Sequence, residues 1–368
     1  MGKNKTEQYL PLHWVQEMRS QAGDIADVPP KFLRIICEAN STEEECSLVA
    51  QHIPLLGNML NTFNTLNSEA QESVSADFNS MSLIMLWSMN KQVFKFDESF
   101  LNELINTNSI TMTENLWDYL PFDTFYVDIS DAKDICERIM GKGIFVRVEK
   151  APIKKIKNHL LIAEELHSPT AYAVHVTKVT EELFFSNIFA YDNCTSERTI
   201  DELPARNEIS IISGDGGILT KTGKATIDER LYRLLVSQIL TYLASVEPDV
   251  EENENTKRTY RKPKPDTAPK NKFSEIQQWD VGVRFGTALR KWKKAQETSS
   301  NTESKSSGER SKQRPHSRRA HWSHYWYGTG ENKERRPKWI SAYFVNSDAP
   351  NTEMGTVVHK IDKQTGND

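Results

Sequence analysis

The chain has 368 residues, 38% apolar and 26% charged, with eight Trp, fifteen Phe and eleven Tyr, enough for more than one hydrophobic unit beside segments too polar to order themselves. No window holds the roughly 18 uninterrupted apolar residues of a membrane span, and Met1 to Asp27 lacks the apolar stretch of a secretory leader, so a cytoplasmic protein without a membrane partner is expected. The net charge of −5 hides an asymmetry: Lys257 to Lys338 carries 22 basic against 8 acidic residues, the pattern of a region facing a polyanion, set on an acidic body.

Residues 1–80 read as a helical N-terminal region. Pro29-Pro30 interrupts it early, and Glu43 to Leu60 carries Leu48, Ile53, Leu55, Leu56, Met59 and Leu60 at helical spacing, with Pro54 kinking or splitting the run. Asn61 to Ser80 is polar. Met81 to Met89 is a dense apolar run, and Asp97 starts a helix whose Phe100, Leu101, Leu104 and Ile105 share a face.

The period then changes. Phe125 to Ile129, Gly143 to Val148, Tyr172 to Val176, Leu183 to Phe189 and Ile209 to Ile212 are short runs rich in β-branched and aromatic residues, which predicts strands. Gly214-Asp215-Gly216-Gly217 follows as a turn. Thr226 to Val246 predicts a long helix, with Thr226 and Glu229 as a capping box, Leu231, Leu234, Leu235, Ile239, Tyr242 and Leu243 on one face, and Pro248 beyond its end. Residues 81–250 are therefore expected to form an α+β body, a mostly antiparallel sheet with packed helices.

Residues 251–272, acidic and then rich in Lys and Pro, read as a flexible linker. Residues 273–346 form the last expected unit, a basic helix plus a β-hairpin, with a second polar stretch at 297–313 inside it and a tail at 347–368. Trp279 to Lys294 predicts the helix. Phe285, Ala288, Leu289 and Trp292 lie on one stripe, and Arg284, Lys291 and Lys294 gather on a cationic face.

The run from Arg314 to Gly328 concentrates the candidate chemistry. If it is extended, Arg319, His321, Ser323 and Tyr325 point one way and Arg318, Trp322, His324 and Trp326 the other. Gly328-Thr329-Gly330 supplies a turn, and Arg335 to Phe344 returns as the partner strand. Three readings stand side by side: bases stacking on Trp322, Tyr325 or Trp326 while Arg residues neutralise phosphates, the same aromatics anchoring a peptide, or plain core with snorkelling Arg. The candidate contact residues are Arg314, His316, Arg318, Arg319, His321, Trp322, His324, Tyr325 and Trp326, with Arg284, Lys291 and Lys294 from the helix.

No cofactor is expected. His316, His321 and His324 lack a Cys or placed carboxylate to complete a metal set, and Cys37, Cys46, Cys136 and Cys194 are scattered and read as buried thiols. No phosphate loop, nucleophile elbow or zinc-protease helix is present, and Asp128 with Asp131 is an ordinary pair near a strand end. A binding protein is expected rather than an enzyme.

Arg314-Pro315-His316, Arg318-Arg319-Ala320-His321-Trp322, Tyr325-Trp326, Gly328-Thr329-Gly330 and Trp339 to Asn346 resemble the C-terminal signature of the second type V-A anti-CRISPR family. Leu120-Pro121 with Tyr126 to Ser130, Leu240 to Leu243 with Val246-Glu247-Pro248-Asp249, and Val283 to Arg290 around Gly286 agree with it too, so the similarity runs from about Trp87 to Asn346. The resemblance implies a protein carried by phages and plasmids and active in the bacterial host. It implies recognition of the nascent N-terminal part of a type V-A CRISPR effector nuclease and loss of that effector's transcript, with ribosome and mRNA as neighbouring partners. A general single-stranded RNA- or DNA-binding accessory protein and a ribonuclease without a recognised signature are the alternatives.

Overall fold

A computed structural model describes residues 9–22, 82–107, 115–152, 170–180, 183–192, 210–213, 218–219, 229–253, 276–300, 316–330 and 333–345, with isolated positions 47 and 113. In chain order these form helix α1 (Leu10–Ala22), helix α2 (82–90), strand β1 (Gln92–Phe96), α3 (Glu98–Asn106), a 3-10 turn (Leu116–Tyr119), β2 (Thr124–Asp128), α4 (Lys133–Ile139), β3 (Gly143–Pro152), β4 (Thr170–Val179), β5 (Leu183–Asp192), β6 (Ser210–Ser213) and β7 (Ile218–Leu219). Then come α5 (Glu229–Ala244), β8 (Val250–Glu252), β9 (Gln277–Val281), α6 (Val283–Ser300), β10 (His316–Arg318), β11 (His321–Tyr327), β12 (Glu334–Ile340) and β13 (Tyr343–Val345). The expected helix over Glu43 to Leu60, the turn at Gly214 to Gly217, the bulk of the 251–272 and 297–313 stretches and the 347–368 tail lie outside the described residues.

The class is α+β, built on one sheet whose described strands run β7-β6-β5-β4-β3-β2-β1-β9-β8. Pairing is antiparallel from β7 to β2 and again between β8 and β9, whereas β1 is parallel to both neighbours, with Val93 opposite Tyr126 and Gln278. The spacing predicts no strand before Phe125, yet β1 lies between the body and the C-terminal strands. Two further differences concern the chain's last third. Trp279 to Val281 belongs to a strand, so the basic helix begins at Val283, and the segment read as linker starts as the edge strand β8. Strand pairing across some 185 residues overrides the helical spacing at Trp279.

Alternation sorts the sheet into two covered faces. Phe94, Phe96, Phe125, Val127, Ile144, Val146, Val174 and Val176 pack with α3, α4 and α5 in the larger cluster. Val93, Tyr126, Phe145 and Val179 face the other way, under Trp14 and Val15 of α1 and Leu83, Ile84 and Trp87 of α2. Trp14 Nε1 donates to the Thr180 carbonyl at 2.8 Å, tying the N-terminal helix to the end of β4. The larger cluster also holds Val281, Leu289, Ala320, Trp339 and Ala342, so the C-terminal third shares the body's core.

Asp97 and Asp249 lock the helices that follow β1 and β9. Asp97 caps α3, accepting from Phe100 N–H at 3.1 Å, and both of its oxygens accept from Arg290 on α6, at 2.9 and 2.7 Å. This approach requires a glycine at 286, because a Cβ there would lie 1.8 Å from Asp97 Oδ1. Replacing glycine by alanine inside a helix ordinarily stabilises by up to about 1 kcal/mol. Gly286→Ala is expected to do the reverse, losing about 2 kcal/mol through the displaced cap and the crowding. Urea unfolding checks the sign, and a stabilised variant would refute the lock.

Candidate functional site

The C-terminal run folds as two paired ribbons in succession, where one hairpin was expected. β10 pairs antiparallel with β13, placing His316 opposite Val345, and β11 pairs with β12 from His321–Ile340 to Tyr327–Glu334. The breaks fall at Ala320 and Ala342, both buried in the larger core cluster. Gly328, at φ +90°, opens the turn after β11 in a conformation that side chains resist.

The base of the β11–β12 hairpin is fastened to the body. Trp339 is 4% exposed and meets Phe100 edge-on at 5.0 Å and Phe285 at 5.1 Å, so the apolar stripe of α6 closes over it. Across the register from it, Trp322 donates through Nε1 to Gln238 Oε1 on α5 at 2.9 Å. Gln238 donates on to the Thr107 carbonyl, and Trp339 Nε1 donates to Thr107 Oγ1 at 3.4 Å. On the outer side of β12, Val246 N–H donates to the Pro337 carbonyl at 2.9 Å and Lys338 Nζ pairs with Glu247 at 2.7 Å. Trp322 is thus half-buried anchorage.

The tip is different. Trp326 is 70% exposed and Tyr325 44%, and each stands across the ladder from an arginine, Arg335 and Arg336 respectively. The Arg336 guanidinium lies 3.7 Å from the Tyr119 ring centre, and the Tyr119 hydroxyl donates to Glu334, a bond that holds its pKa above the ordinary phenol range. Trp322 and Trp326 point to the same side of β11, but the body extends beneath the first only. The hairpin therefore presents two aromatic–arginine pairs on a firmly seated base.

The other candidates divide. Arg319 and His321 are exposed, with His321 Nδ1 3.1 Å from the Arg319 carbonyl, and His324 is half-buried on the opposite face of β11. His316 and Arg318 take part in β10, where only their backbone is described, and Arg314 lies outside the described residues. Lys291 and Lys294 are exposed on α6. Arg284 is committed to structure: its Nε donates to Asp249, whose carboxylate also accepts from the Arg284 and Phe285 amides at 2.9 and 3.4 Å and so caps α6. A cation at helical spacing with Lys291 thus serves as a fold contact, because Asp249 arrives from 35 residues upstream.

Sequence reasoning missed Tyr119, Arg335 and Arg336 as members of this surface. The arginines were legible as cross-strand partners of Tyr325 and Trp326 once the register was fixed, whereas nothing local marks Tyr119. Cys136 is half-buried, its Sγ donating to the Ile129 carbonyl at 3.2 Å, and burial pushes its thiol up to about 11, so it stays protonated at neutral pH. No helix among the described residues is long and apolar enough to cross a membrane.

A sequence model of the AcrVA2-like family, described as the Anti-CRISPR type V subtype A2 family, matches residues 94–347. A crystal structure of AcrVA2 aligns at 15% identity and a TM-score of 0.46, covering 92% of this chain and 100% of that one. No curated protein matches the chain.

Proposed function

The chain belongs to the Anti-CRISPR type V subtype A2 family, and on that premise we propose that it lowers the supply of a type V-A CRISPR effector nuclease by recognising the effector's N-terminal part during synthesis, with loss of the transcript as the result. In this reading the protein binds and performs no reaction of its own. It acts in the bacterial cytoplasm beside ribosome and message, delivered by a phage or plasmid.

One observation carries the site assignment: Trp326, with 70% of its surface in solvent, sits on a hairpin whose base is bonded into the core. Exposing a tryptophan forgoes roughly 1.5 to 3 kcal/mol of burial, and an aromatic presented rigidly loses little entropy when a partner covers it. Tyr325, Arg335 and Arg336 surround it with the aromatic and arginine chemistry of interface hot spots.

The pairing of Trp326 with Arg335 also favours a second reading, a single-stranded nucleic-acid platform. Titrating the full chain against an effector N-terminal peptide and an RNA oligomer at two salt concentrations separates them. Peptide recognition is expected to be sequence-selective and to change by less than about threefold between 50 and 200 mM salt, whereas phosphate-driven binding falls by orders of magnitude. Steeply salt-dependent RNA binding with no peptide binding overturns the first reading.

A further inference from the structure

We propose that the outer edge of β11 takes up an extended peptide with acidic and apolar side chains as a third strand of the β11–β12 sheet. This deepens the peptide reading above and rests on it.

The two edges of the hairpin are unlike. The outer side of β12 is occupied by the Val246 amide and holds Pro337, which has no N–H to offer, while Lys338, Arg335 and Glu334 charge the same strand. β11 reads His-Trp-Ser-His-Tyr-Trp-Tyr, seven extended residues without Lys, Arg, Pro, Gly or a carboxylate. Natural sheets blunt their free edges with such residues, because an open row of N–H and C=O groups is a template for another chain. Among the described residues β12 is the only strand that pairs with β11. Every side chain of β11 is exposed or partly exposed. An edge that no described strand pairs with, and that carries none of these blunting residues, fits one that is covered in use.

The flanking chemistry selects the occupant. A strand laid along β11 would place its side chains alternately beside Trp322, His324 and Trp326 on one face and His321, Ser323, Tyr325 and Tyr327 on the other. Exposed Arg319 stands at the start of β11, and exposed Lys333 and Arg335 stand at the tip, so acidic residues near the ends of the incoming segment would be matched and basic ones repelled. A second copy of this chain suits the edge poorly: antiparallel self-pairing would bring Arg319 of each copy toward the other's cationic tip. Main-chain bonds of an added strand supply affinity and the alternate side chains supply selectivity.

The test uses the full chain and a synthetic peptide of the effector's N-terminal segment, compared with versions N-methylated at one backbone nitrogen at a time. β-addition is expected to give losses of about tenfold or more at every second position and little change between them, since each blocked amide removes a hydrogen bond and adds a clash. If the parent peptide binds and N-methylation shows no two-residue period, the edge-pairing mode is overturned while peptide recognition stands. If the parent peptide does not bind, both fall. A chain that is dimeric in sedimentation and becomes monomeric on His324→Pro, which removes an outward-facing N–H because His324 lies opposite Pro337, would assign the edge to self-association and overturn the proposal.

Discussion

Trp326→Ala is expected to weaken effector-peptide binding by about 30-fold, the roughly 2 kcal/mol of an interface hot spot, while the urea midpoint of the protein stays where it is. The ring has 70% of its surface in solvent, so truncating it removes almost no packing, and substitutions at such positions usually cost within about 0.5 kcal/mol of stability. In cells carrying the effector, both effector protein and transcript should recover toward the levels seen without the inhibitor. Arg335→Glu, across the ladder from Trp326, is expected to act in the same direction with the fold intact. A Trp326→Ala variant that stays folded and still depletes the effector would place recognition elsewhere on the molecule.

Trp339→Ala is expected to have the opposite signature, a loss of about 3 to 5 kcal/mol of stability, with activity falling only as the folded fraction falls. Its indole is 4% exposed and meets Phe100, Phe285 and Tyr242 at ring-centre distances of 5.0, 5.1 and 6.2 Å, so one truncation opens a cavity among α3, α5, α6 and the hairpin base. It also removes the donor to Thr107 Oγ1. Urea unfolding followed by tryptophan fluorescence reads the loss directly, and a midpoint near that of the unaltered protein would show that the hairpin base is not part of the core. Two tryptophans on one hairpin, one tested by affinity and one by stability, thus separate contact from anchorage.

The blocks that carry the family resemblance meet in space. Val246-Glu247-Pro248-Asp249 ends in the carboxylate that caps α6, Val283 to Arg290 supplies the capped amides, and Gly286 makes room for Asp97. Much of that resemblance therefore marks the joint between body and C-terminal third, while the aromatic signature ends in the exposed tip. The histidines run against that division: His321, at the start of β11, is exposed with its ring against the Arg319 carbonyl, and His324, three residues nearer the tip, is half-buried.

Local chemistry in the sequence determined the α+β class, the strands from β2 to β6, the Asp97 cap, the α5 helix and the presence of a Trp- and Arg-rich hairpin, because alternation, capping and turn residues act over a few positions. Only the tertiary structure decided which of those residues are surface. β1, five residues between two helices, is a strand because β2 and β9 bond to it on both sides, and β9 comes from 185 residues away. Arg284 has the same spacing as Lys291 and Lys294 and is exposed like them, yet its guanidinium is paired with Asp249. Trp322 and Trp326, four residues apart on the same side of β11, differ because Gln238 and the body's core reach the first and not the second. Burial depends on what the rest of the chain brings alongside a residue, and a one-dimensional pattern of alternation carries no record of that.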